Sequence, residues 1–179
     1  MEDDVTVESG DSQTWRGGLT PQQVQVDGDL RELLDQLNVG RFVNVEPGRY
    51  ICQRDTTHVD VRLMQYGDYV AVRSLAPVAV GVKFTPELFR FLLFRNTGFL
   101  FGGFGVEMWR AGPVVVFTHS ILASSMDEQE LGASVVTVLD TANRYGGQIV
   151  DRWGGRTMQQ TSIEVLLPAR IQALLDIAE

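Results

Sequence analysis

Two histidines, His58 and His119, and one cysteine, Cys52, are the side chains best suited to acid–base, nucleophilic or metal chemistry. Neither histidine has a second His or a Cys at ligand spacing, so a zinc or iron centre has little support. His119 closes the apolar run Val114 to Phe117, and a hydrogen-bonded or solvent-facing histidine at a strand end explains it better than a general base does. Cys52 follows Tyr50-Ile51, with Arg49 and Arg54 as its nearby cations in sequence, and reads as a small buried hydrophobe rather than an activated thiolate. As a lone cysteine it forms no internal disulfide. Ser124 and Ser125 lack the glycines of a strand-to-helix nucleophile elbow, and Ser125 with Glu128 fits a helix capping box instead. Gly102-Gly103-Phe104-Gly105 has no Lys-Ser/Thr pair after it and matches neither the phosphate-cradling loop nor the dinucleotide fingerprint. Asp127 and Glu128 fall where a helix start favours negative charge. These residues point away from catalysis, and no catalytic residue, metal or cofactor is expected.

Composition narrows the partners. With 179 residues, 44% of them hydrophobic and 21% charged, the chain is long enough to bury a substantial core as one domain. A net charge of −8 and a pI near 4.7 repel phosphate backbones and anionic lipid surfaces, so neither nucleic acid nor membrane is expected as a partner. The start MEDDVTVESGD has no basic or apolar signal region. The longest apolar runs, Leu75 to Val82 and Phe91 to Phe94, fall far below the roughly 20 residues that span a bilayer. A soluble, cytoplasmic, acidic protein is expected.

The elements that would position any site follow from pattern and punctuation. Residues 1–28 read as a flexible acidic tail, with the alternation in Gln22 to Val26 as a candidate short edge strand. Leu30, Leu33, Leu34 and Leu37 share a helical face, with Asp29 as cap and Gly40 past the end. Pro47-Gly48 marks a turn, and Tyr50 to Gln53, Val59 to Gln65 and Tyr69 to Ser74 read as strands, the last two joined at Tyr66-Gly67-Asp68. A second helix starts at Thr85-Pro86-Glu87, with Phe84 stapled on Phe89, and ends near Arg95. Strands from Phe99 to Trp109 and Val114 to His119 form a hairpin turning at Ala111-Gly112-Pro113. A third helix opens at Ser125 and carries the stripe Leu131, Val135, Val138, Ala142, Tyr145 and Ile149 as far as Trp153, before Gly154-Gly155. A last helix opened by Pro168 carries Ile171, Leu174, Leu175 and Ile177. The order α-βββ-α-ββ-α, with an extra C-terminal helix, predicts an α+β fold: an antiparallel sheet of about five strands with helices packed on it. The domain runs over 29–155 and the C-terminal extension over 156–179.

The apolar excess lies in the second helix, where Leu88, Phe89, Phe91, Leu92, Leu93 and Phe94 surround Arg90. That is more apolar surface than one core-facing stripe requires.

Several local residues resemble the type III secretion chaperones of the CesT type and their YbjN-like relatives, over roughly Tyr50 to Gly155. Leu92-Leu93-Phe94-Arg95-Asn96 is similar to the family's LLxxN signal, and the strand pair through Gly103-Phe104-Gly105-Val106 and Val115-Val116-Phe117 follows. Ala142-Asn143-Arg144-Tyr145 and Trp153-Gly154-Gly155 resemble its AD-x-Y and FGG ending, with Asn143 in place of Asp and Trp153 in place of Phe. The resemblance implies a small acidic domain, a homodimer, that binds an extended peptide segment of a client protein and has no catalytic residues. Leu88, Phe89, Phe91, Leu92 and Phe94 are the expected dimer or client contacts, and Val106, Met108 and Trp109 the expected peptide contacts. The alternative is a regulatory or sensory module acting through a partner protein or a small apolar ligand, for which a closed apolar pocket would be the sign.

Overall fold

The computed structural model describes residues 19–54, 57–109 and 112–158. Helix α1 spans Pro21–Gln36, and strands β1 to β4 span Phe42–Glu46, Arg49–Arg54, Thr57–Tyr66 and Tyr69–Val80. Helix α2 spans Pro86–Asn96, strands β5 and β6 span Gly103–Trp109 and Gly112–Leu122, helix α3 spans Glu128–Trp153, and the two-residue strand β7 is Arg156–Thr157. The strands pair antiparallel in the order β1-β2-β3-β4-β6-β5, with β7 beside the end of β4. The fold is α+β as expected, with one strand more before α2.

The differences from the sequence reading have local causes. Residues 22–26 are helix and not strand, because Thr20 closes a capping box: its hydroxyl accepts from the Gln23 amide at 3.2 Å and the Gln23 side chain accepts from the Thr20 amide at 2.9 Å. Pro21 fits the first helical position, so α1 starts there and Asp29 is interior rather than a cap. The added strand, β1, turns into β2 at Pro47-Gly48. β4 runs past Ser74 to Val80, with Pro77 tolerated where the pairing to β6 shifts register. α3 is capped by Asp127, which accepts from the Glu130 amide at 2.7 Å, whereas Ser125 lies in a 3-10 turn and donates to the Leu122 carbonyl at 3.2 Å. Most of the expected N-terminal tail and the whole C-terminal helix lie outside the described residues.

The three described α-helices contribute to one core on one face of the sheet. The α3 stripe Leu131, Val135, Val138, Ala142, Tyr145 and Ile149 is buried against Val59, Val61, Val72, Val115 and Phe117. Gly146 lets the helix come close, since a Cβ there would sit 3.0 Å from the Val78 carbonyl oxygen. α2 enters the same core through Leu88 and Leu92. Tyr50 fastens α1 to β2 by donating to the Asp27 carboxylate at 2.8 Å.

The opposite face of the sheet carries charge. Asp60 takes Arg49 at 2.7 Å and Arg62 at 2.5 Å, Arg49 also reaches Glu46 at 3.0 Å, and Arg73 pairs with Glu107. Burial opposes ionisation of Asp60, but the attraction of Arg62 and the hydrogen bonds and charge of Arg49 outweigh it and hold its carboxyl below the usual range. Beside these pairs sits a smaller apolar cluster of Leu75, Val80, Val114, Val116 and Met158, flanked by Trp109. His58 lies on this face with both ring nitrogens enclosed and unpartnered, and burial pushes its pKa down to about 4.

Two measurements test this packing. Gly146→Val should lower the unfolding free energy in urea by about 1–3 kcal/mol through overpacking, whereas Gly147→Ala, whose added methyl meets nothing within 4 Å, should raise it by about 0.5–1 kcal/mol. For His58, the unfolded chain takes up a proton near pH 6.5 and the folded chain only near pH 4. Stability should therefore be full above pH 6.5 and fall through that window by on the order of 3 kcal/mol. His58→Gln should flatten the fall; an equally steep pH profile in the variant would show that another group carries it.

Candidate functional site

The side chains that suggested chemistry are absorbed into the structure. Cys52 is fully buried, and burial pushes its thiol up to about 11. His119 Nδ1 lies 2.9 Å from the Ser134 hydroxyl, which donates in turn to the Ser74 hydroxyl at 3.1 Å. This order of residue types resembles a nucleophile relay, but both serines are closed off from the surface. The chain of bonds satisfies polar groups inside the core. Neither serine was singled out in the sequence, because they lie 60 positions apart and meet only across the α3–sheet contact. Among the described residues no three His, Cys, Asp or Glu side chains converge as a metal site. Gly102 serves a close backbone approach, since a Cβ there would meet the Thr118 carbonyl oxygen at 2.6 Å.

What stands out instead is surface. After Pro86, the remaining ten residues of α2 divide into three stripes by helical spacing. Leu88 and Leu92 point inward and are buried, so of the expected contact residues these two belong to the core. Phe89 and Leu93 share a flank with Asn96 and are 45% and 67% exposed. Glu87, Arg90, Phe91, Phe94 and Arg95 form the third stripe, where Phe94 is 71% exposed and Phe91 packs partly against the core.

Asn96 ties the helix to the sheet. Its side-chain oxygen accepts from the Phe104 amide at 2.7 Å and its side-chain nitrogen donates to the Phe104 carbonyl at 3.1 Å. β5 is an edge strand, with β6 on its inner side. Phe104 therefore presents its backbone groups outward, and by alternation along an antiparallel strand Val106 and Met108 do the same. Asn96 occupies the first of these outward positions, and no described residue pairs with the next two. The side chains of Val106 and Met108, 39% and 76% exposed, stand on the helix-bearing face beside this open edge. Trp109 is on the opposite face, where its indole nitrogen donates to Glu107 at 2.9 Å, so it does not join them.

On the other flank of α2 an open groove of about 420 Å³ runs between Glu87, Arg90, Phe91, Phe94 and Arg95 and the end of α3 at Arg152 and Trp153. The Phe91 and Trp153 ring centroids are 5.1 Å apart. Among the described residues the site is thus a strand edge without a neighbour, bounded by apolar side chains and lying next to a helix with two exposed apolar flanks.

Residues 21–161 match the family model TY-Chap1, described as T3SS (YopN, CesT) and YbjN peptide-binding chaperone 1, and the chain belongs to that family. Its fold overlays on a chain of the ExsC–ExsE complex with a TM-score of 0.55 at 16% identity, covering 69% of this chain and 95% of that one. It overlays on a chain of the HopA1–SchA chaperone–effector complex with a TM-score of 0.56 at 11% identity, covering 72% and 98%. YbjN from E. coli overlaps more loosely, with a TM-score of 0.41 at 15% identity over 79% and 95%. No curated protein sequence matches the chain significantly. Among the described residues no helix is long and apolar enough to cross a membrane.

Proposed function

We propose that the chain is a non-enzymatic, chaperone-like module that holds an extended segment of a client protein by adding it as a strand to β5. The observation that carries this reading is the outward-facing backbone of Val106 and Met108, flanked by their own exposed side chains. An incoming strand finds backbone partners there and an apolar surface for alternate side chains. The family description as peptide-binding chaperones supports the reading, as does the likeness to chains crystallised in complexes, one of them named as a chaperone–effector pair. The exposed flank of Phe89 and Leu93 is the contact for a homodimer. A regulatory module for a small apolar ligand would need an enclosed cavity, and the groove beside α2 is open.

Val106→Pro removes the outward amide while leaving the bonds of β5 to β6 in place. On an array of peptides of about 15 residues, the variant should lose roughly tenfold or more of the signal that the natural chain retains, with unchanged circular dichroism. A natural chain that retains no peptide above background would sink the reading. For the dimer, light scattering should give twice the chain mass, and Leu93→Asp should halve it without unfolding, because a carboxylate cannot be left unpaired in an apolar contact. A monomeric natural chain would remove the dimer from the proposal.

A further inference from the structure

The groove between α2 and the end of α3 has a chemistry that apolar packing does not explain. Phe91 forms its floor, with the guanidinium of Arg95 5.1 Å and that of Arg152 5.5 Å from the ring centroid. Arg95 also lies 5.6 Å from the Tyr145 ring. Arg90 and Glu87 also line the groove. Among the described residues three arginines thus face one carboxylate there, in a chain of net charge −8. On the sheet the pattern is different: Arg49, Arg54, Arg62 and Arg73 each have a carboxylate partner. Arg95 and Arg152 instead lie over the Phe91 ring, and no described carboxylate pairs with either, so their N–H donors are available to an incoming carboxylate. Phe94 and Trp153 wall the same groove and offer an apolar or aromatic side chain a place beside that carboxylate.

We infer that this groove selects client segments that carry an acidic residue next to an apolar or aromatic one, with Arg95 and Arg152 taking the carboxylate and Phe91, Phe94 and Trp153 taking its neighbour. The inference rests on the reading that the chain binds extended segments, and it adds which segments are preferred. An acidic protein that displays one basic aromatic groove repels most acidic chains at a distance and accepts one only where the local charge is reversed, which favours selectivity over indiscriminate capture.

The test uses the full chain and two fluorescent peptides of about 12 residues, one alternating Glu with Phe and Leu, the other with every Glu replaced by Gln. Anisotropy titration should give the acidic peptide about tenfold tighter binding, with the advantage shrinking as ionic strength rises from about 0.05 M to about 0.5 M. Arg95→Gln/Arg152→Gln should abolish the preference, so that the acidic and the neutral peptide bind the variant with equal affinity, and Val106→Pro should weaken both peptides alike. Equal affinity for the two peptides, both weakened by Val106→Pro, would overturn the acidic preference and leave the strand-addition reading standing; binding of neither would remove both. A preference that survives the double substitution would place the acidic contact elsewhere and overturn the assignment. Two rival occupants would also overturn it. One is the chain's own acidic start, if removing residues 1–18 raises affinity for the acidic peptide tenfold or more. The other is a second copy, if the double substitution alone halves the mass in light scattering.

Discussion

Tyr145 is the contact through which the helices and the far half of the sheet hold one another. Its ring meets Phe104 at 5.3 Å and Phe99 at 5.9 Å edge-on, and Phe91 at 6.5 Å, while Phe117 closes the cluster at 4.8 Å from Phe99 and 5.2 Å from Phe104. Each such pair contributes about 0.5–1.5 kcal/mol beyond the area it buries, and the geometry leaves little freedom of rotation. Because Tyr145 lies within the α3 stripe, the register of α3 on the sheet, the position of the β5–β6 hairpin and the roll of α2 are mutually fixed. The roll of α2 matters most for function. A small rotation would bury Phe94 or Phe89 and expose Leu88, and the separation between strand-side flank and groove-side flank would be lost.

The two faces of the sheet solve different problems. The helix-bearing face is a continuous core, whereas the other face combines a partly buried ionic cluster at Asp60 with a small apolar patch. An ion pair network of this kind adds little net stability compared with apolar packing, but removing one partner leaves a buried charge exposed to its full desolvation cost. It therefore fixes which residues of β2 and β3 lie opposite one another, since Arg49, Asp60 and Arg62 come together in one register only. The unpartnered nitrogens of His58 lie on the same face and work the other way, tolerated only while the ring is neutral.

The order of elements was legible wherever the sequence carried a local signal that closes on itself. Thr85-Pro86-Glu87 started α2, and the stripe from Leu131 to Ile149 put α3 across the sheet. The start of α1 was equally well signalled by Thr20 and Gln23, but the valines at 24 and 26 masked it, since two alternating residues fit a helix as readily as a strand. The apolar surplus of α2 was visible as composition, yet its division was not. Phe89, Phe91 and Phe94 are the same residue type, and only the position of the core behind Leu88 and Leu92 decides which of them face outward. Trp109 was grouped with Val106 and Met108 although it differs from them in strand phase. The arginines of the groove are 57 positions apart in sequence, and nothing before folding marks Arg95 and Arg152 as neighbours.

Asn96 has a consequence for time as well as for place. By occupying Phe104 it leaves β5 only two outward residues, enough for at most about four backbone hydrogen bonds worth about 0.5–1.5 kcal/mol each. The remaining edge is too short to seed long sheet-to-sheet association, which protects the chain from sticking to copies of itself. The same shortness would make a strand paired there quick to leave, because backbone pairing worth about 2–6 kcal/mol corresponds to dissociation constants no tighter than roughly tens of micromolar. A strand added to such an edge would come away by thermal escape alone.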